Sequence, residues 1–320
     1  MGNLNVAVLG TKGFAGEIGK KGTVTDMTFF ELKRGGDSVT LLEPTKHPEK
    51  LSSLFYAAGM SEFAILVVES IDAQLGESIV MADLFGIDRG WIILRNYIQP
   101  EQLKPLLADT CLEGYEVVEE DHTAIRERLI ALAAAEDRAA GEGTCGSCPV
   151  DSHFNVKGVG TVVLGAVTDG YLRKHDKMTV FPSGKEVVLK SIQKHDLDAD
   201  TCVKGDHVGL ALRGIDSDDL DRGHVLTTDP SMKMTRSFTG KVKLVKYWPT
   251  PLKEGMVVHM GHWMQMVPCR IVRVGDGGDF RAAEVDFAIE TDIIHRPGGL
   301  GVIMYLEGGK LRIAGSVRLP

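Results

Sequence analysis

The stretch GTKGFAGEIGKKG, residues 10–22, follows the apolar run LNVAVL, where a first strand would turn into a phosphate-binding loop. Such a loop reads GxxxxGK[ST]. Its backbone N–H groups wrap the phosphates, its lysine neutralises them, and its hydroxyl ligates Mg²⁺. Counted from Gly10, the second glycine is Ala15, the lysine is Gly16 and the hydroxyl is Glu17. Counted from Gly13, Gly19 and Lys20 fall within one residue of the required spacing, but Lys21 follows where Ser or Thr is needed. Neither register supports phosphoryl transfer, and the first sets the Glu17 carboxylate where an anionic phosphate should lie.

Two other groups invite a metal reading and fail it. Cys145 and Cys148 form a CxxC in GEGTCGSCPV, but no second CxxC or HxxxH pair completes a four-ligand zinc site. His259 and His262, in HMGHW, stand three apart on a strand-like run, which turns them to opposite faces with no acid or cysteine nearby. No metal is expected. Five cysteines fit a reducing cytoplasm better than a disulfide framework.

The elements that must position these residues change character along the chain. Up to about residue 140, the strand-like runs NVAVLG, MTFFELK, SVTLLE, FAILVVE, GWIILR and YEVVE alternate with the helical patterns PEKLSSLFYAAG, GESIVMADLFG and QPEQLKPLLAD. A last helix, DHTAIRERLIALAAAEDRAA, opens on Asp121 as its N-cap. This order predicts a mostly parallel, doubly wound α/β sheet, with ligands at the carboxyl ends of its strands. After Val150 only short glycine-punctuated β runs remain, which predicts barrels, and TTDPSMKM divides them into two. The expected domains are 1–142, 143–232 and 233–320.

Charge follows the same division. Residues 1–149 carry 13 Lys and Arg against 23 Asp and Glu, residues 150–232 carry 10 against 13, and residues 233–320 carry 13 against 8. Within a net charge of −8, only the last third is basic, a footprint for phosphate contacts or a plain solvated face. No apolar run approaches the roughly 18 residues of a membrane span, and no membrane association is expected.

From VDSHFNVKGVGTVVLGAV through GLALRGI and RGHVL, residues 150–226 resemble domain II of translation elongation factors of the EF-Tu and SelB type, and SelB more closely. LKEGMVVHMGHWMQMVPCRIVRV and RPGGLGVIMYLEGGKLRIAGSVRL resemble domain III. The α/β part then corresponds to a G domain, and the resemblance spans essentially the whole chain.

Set against that family, the remaining nucleotide motifs are degraded. Val24, in GTVTD, stands where a switch threonine would hold Mg²⁺. The DTPGH segment is Glu43, Pro44, Thr45, Lys46 and His47, keeping only the histidine of the water-orienting position. The base-recognising NKxD is Asn96, Tyr97, Ile98 and Gln99, without the aspartate that grips guanine. The resemblance, less these motifs, implies a SelB-like protein that holds tRNA or its aminoacylated 3′ end on its barrels and has lost GTP and Mg²⁺.

The family places a selenocysteinyl-recognising Asp-His pair and an arginine in domain II. Asp151 and Arg222 match, whereas Ser152 takes the histidine's place and His153 comes one residue late. Gly158 and Gly160 permit a bulge or a close approach by ligand. Lys241, Lys243, Lys246, Arg270, Arg273 and Arg296 are candidates for phosphate contacts. Ribosomal or other translation proteins are further expected partners. Two readings stay open beside this one: a protein-binding pseudo-GTPase, and a GTPase in which Lys20, Lys21 or Lys46 serves the phosphates.

Overall fold

A computed structural model describes residues 2–136, 145–194, 197–275 and 278–320. The chain divides into two compact units, Met1–Asp137 with Leu306–Ile313, and Arg138–Tyr305 with Ala314–Pro320. The expected boundary at 142/143 lies outside the described residues.

The first unit holds strands β1 (Asn3–Leu9), β2 (Lys20–Val24), β3 (Thr28–Arg34), β4 (Asp37–Glu43), β5 (Phe63–Val68), β6 (Gly90–Leu94) and β7 (Glu116–Val117). Its helices are α1 (Phe14–Ile18), α2 (Leu51–Gly59), α3 (Ala73–Phe85), α4 (Pro100–Leu107) and α5 (His122–Ala135). The sheet order is β2-β3-β4-β1-β5-β6-β7. Strands β4, β1, β5, β6 and β7 run parallel, while β3 is antiparallel to both β2 and β4.

Alternation along β1 builds both faces of this sheet. Leu4, Val6 and Val8 join Phe14 and Ile18 of α1 and Ile125, Leu129 and Ala133 of α5 in one apolar cluster. Residues Ala7 and Leu9 are buried on the opposite side, where α2 and α3 pack on β1, β5 and each other. Asp121 caps α5 as expected, accepting the N–H groups of Thr123 and Ala124 at 2.9 and 3.1 Å.

The second unit contains two antiparallel barrels. In the first, strands Lys177–Phe181, Val225–Thr227, Ser147–Val156, Gly160–Ala166, His207–Arg213 and Lys185–Lys194 follow one another in space, and the last pairs back onto the first. Val150, Val163, Val180, Leu189 and Leu210 fill it. The second is a closed barrel of Lys233–Leu244, Glu284–His295, Gln265–Val274, Val257–His262, Leu300–Met304 and Ile313–Arg318. The α/β sheet with two following barrels is the architecture expected from the sequence. No helix among the described residues is long and apolar enough to cross a membrane.

Candidate functional site

The loop after β1 is shaped as a nucleotide loop would be. Gly10 has φ +87°, and a Cβ there would lie 2.3 Å from the Val67 carbonyl oxygen, so only glycine fits. Gly13, at φ +93°, opens α1 in the left-handed region. The helix that follows has only five residues. It is held by Phe14, which is buried and meets the His122 ring edge-on at 5.6 Å.

The carboxylate at this loop is Glu43, not Glu17. Because β1 and β4 run parallel with Ala7 opposite Leu42, the last residue of β4 emerges beside the loop that β1 feeds. Gly13 N–H donates to Glu43 Oε1 at 2.7 Å and Ala15 N–H to Oε2 at 3.1 Å. Glu43 is 2% exposed. The reading of Glu17 as the intruding acid is therefore corrected. Its side chain is exposed, and its carbonyl oxygen accepts from the Arg126 guanidinium.

The neighbouring motif positions also serve structure. Val24 is not on a switch loop: it ends β2, the edge strand, and is exposed. Lys20 and Lys21 lie on the same edge, paired with Glu31 and Phe30 of β3. Lys46 reaches Asp26 at 3.0 Å. Gly16 is exposed within α1.

His47 lies in a buried polar group rather than over a water. Its Nε2 is 2.9 Å from Glu77 Oε2, and the two side chains are 2% and 3% exposed. Arg312 clamps the same carboxylate, with Nε donating to Oε1 at 2.8 Å, Nη2 to Oε2 at 2.6 Å, and its backbone N–H to Oε1 at 3.1 Å. Burial alone would raise the Glu77 carboxyl, but the hydrogen bonds and charges of Arg312 and His47 outweigh it and hold it down at about 2. Ionised Glu77 can only accept, so His47 Nε2 carries the proton. The Nε2–H of His47 is thus committed to Glu77 rather than to a water.

At the carboxyl end of β6, Asn96 and Tyr97 both take left-handed backbone, φ 53° and 60°. Asn96 Nδ2 donates to the Glu69 carbonyl at 2.9 Å. The Gln99 amide is used locally, its Nε2 donating to the Tyr97 carbonyl at 3.1 Å. Tyr97 projects into solvent, 97% exposed. Arg95 is bracketed by Glu69 and Glu120, whose hydrogen bonds raise its pKa against its partial burial.

In the first barrel the three polar candidates are engaged among themselves and their neighbours. Arg222 Nη2 donates to Asp151 Oδ1 at 2.6 Å, and Asp151 is buried. His153 Nδ1 lies 2.9 Å from Ser217 Oγ. Gly158 and Gly160, at φ +83° and +107°, shape a hairpin in which Val156 pairs with Gly160, so the turn itself requires them. In the last third, Lys241 faces Glu284 across the ladder, whereas Lys243 faces Ser316 and Arg270 faces Ala288. Arg273 pairs with Asp286 at 2.7 Å. Arg296, expected to face phosphate, instead joins Asp169 at 3.0 Å and Asp229 at 2.8 Å.

Cys145 and Cys148 are not joined in a disulfide, and Cys148 is buried in the barrel core, which pushes its pKa well up. His262 is buried and donates Nδ1–H to the Leu300 carbonyl at 2.8 Å, with burial lowering its pKa to about 4. Among the described residues no three His, Cys, Asp or Glu side chains gather as a metal site.

Residues 160–227 match the family of elongation factor Tu domain 2. An uncharacterized protein of Methanocaldococcus jannaschii is 32% identical over 100% of both chains. The selenocysteine-specific elongation factor of the same organism is 28% identical over 80% of this chain, which spans 59% of that factor's length. Among solved structures, SelB of Methanococcus maripaludis in complex with the GTP analogue GPPNHP superposes with a TM-score of 0.83 at 21% identity, covering 100% of this chain and 79% of that one.

Proposed function

Because the chain belongs to the SelB- and EF-Tu-like family of translation elongation factors, we propose that it holds tRNA, or its aminoacylated 3′ end, on its two barrels without binding or hydrolysing GTP. The observation that carries this reading is Glu43. Its carboxylate already accepts the Gly13 and Ala15 N–H groups that a phosphate would need. A triphosphate brought there would meet a buried acid, with no lysine or hydroxyl at the Gly16 and Glu17 positions to offset it.

Both barrels close on themselves, and residues 233–320 carry a basic excess. Lys241, Lys243 and Arg270 are exposed on the second barrel and suit phosphate oxygens. Ser152 and the Ser217-bound His153 favour an aminoacyl group other than selenocysteine. A gel shift with deacylated and aminoacylated tRNA tests the reading. Retardation that is independent of GTP and weakens steeply with salt supports it; unchanged mobility at micromolar protein refutes it.

A further inference from the structure

Beyond phosphate contacts, the second barrel carries two cation-on-ring pairs on adjoining turns. Lys246 Nζ lies 5.0 Å from the centre of the Tyr247 ring, and the Arg281 guanidinium carbon lies 4.4 Å from that of Phe280. The strand pairing that sets Lys241 opposite Glu284 continues as a Val242 N–H bond to the Ala283 carbonyl at 2.9 Å. That ladder brings the end of strand Lys233–Leu244 beside the short 3₁₀ turn Phe280–Ala282. Arg281 Nη2 reaches the Lys246 carbonyl at 3.4 Å, joining the two pairs.

Trp248 is buried, packs edge-on to Tyr305 at 6.3 Å, and closes the turn through its backbone N–H to the Val245 carbonyl at 3.0 Å. Tyr247, the residue before it, is 44% exposed. Asp279, the nearby acid in the second turn, accepts the Arg281 backbone N–H at 2.9 Å. Tyr247 is exposed and Phe280 half-buried, each against a cation, and rings set among cations are a means by which proteins take unpaired bases: the ring stacks on the base and the cations meet the flanking phosphates.

We propose that Tyr247 and Phe280, with Lys246 and Arg281, form a stacking site for an unpaired base of an RNA. This rests on the RNA-binding reading above, and it adds a single-strand subsite to the phosphate contacts of the barrel. The basic excess of residues 233–320, with Lys241 and Lys243 on the strand that leads to Lys246, complements a phosphate backbone and favours RNA as the occupant.

The test uses the full chain and fluorescence anisotropy with three probes: a fluorescein-labelled single-stranded oligoribonucleotide, a blunt RNA duplex of equal length, and labelled tRNA. The single strand is expected to bind more tightly than the duplex. Tyr247→Ala should weaken it about tenfold, Tyr247→Trp should restore binding, and neither should move the melting transition by more than a few degrees. Lys246→Gln should lower the salt slope by about 0.7. If Tyr247→Ala and Phe280→Ala both bind the single strand as the unaltered chain does, while tRNA still binds, the stacking site is refuted and the RNA reading stands. If the unaltered chain binds none of the three probes, both fall.

Discussion

The loop after β1 and the outer face of the last barrel both gather groups that could meet phosphate, and they treat them oppositely. In and around that loop's unit, the donors are satisfied from within: Glu43 takes the N–H groups of Gly13 and Ala15, Glu77 takes His47 and Arg312, and Asp26 takes Lys46. On the barrel, Lys243 and Arg270 face Ser316 and Ala288 across the ladder and point outward. A phosphate site needs donors and cations with no internal acceptor. The first region meets its own needs, and the second leaves Lys243 and Arg270 without an acid across the ladder.

The buried acids are where this contrast can be broken most forcefully. Arg312→Ala removes the guanidinium from Glu77 in a dry site, leaving it His47 and the residue-312 backbone N–H, and should cost about 3–5 kcal/mol of stability by chemical denaturation; a loss below about 1 kcal/mol would mean that the clamp is not stabilising. Acid should act on the same group. Glu77 is held at about 2, below the 4.5 of an unperturbed glutamate. Its contribution, about 3 kcal/mol, is therefore complete above roughly pH 4.5 and lost as pH falls toward 2. A denaturation series across that window should show the fall in the unaltered chain and a much shallower one in Arg312→Ala.

Glu43→Ala removes the acceptor of two backbone N–H groups and should cost about 2 kcal/mol. It exposes donors without supplying a lysine or a magnesium-binding hydroxyl, so GTP affinity should remain undetectable by calorimetry. Tight binding in this variant would show that Glu43 alone excludes nucleotide. Smallest in energy, Lys243→Gln or Arg270→Gln should weaken tRNA binding by about 1 kcal/mol each and lower the salt slope by about one. An unaltered slope in both would move the RNA face away from this part of the barrel.

Much of the fold was legible locally. Alternating apolar runs and three- to four-residue spacing located six strands of the first sheet and four of its helices, and Asp121 marked the start of α5 in the sequence as it does in the structure. Strand β2 was not legible, because all five residues of Lys20–Val24 are exposed and no face alternates. Helix α1 is too short to show a period.

The site was legible as a loss of motif, but not as what replaced it. Glu43 reaches Gly13 because β4 lies next to β1, a register that spacing 30 residues away does not reveal. The clamp of Arg312 on Glu77 joins residues 235 apart. Arg296 could be read only as one more cation until Asp169 and Asp229 were placed beside it.

The most direct measurement is a titration of the purified chain with fluorescent GDP and GTP analogues, with and without magnesium. No saturable binding up to about 100 μM is expected, because the loop's donors already hold a carboxylate. Saturable binding with a micromolar or tighter Kd, strengthened by magnesium, would contradict the reading of an elongation-factor relative that works without nucleotide.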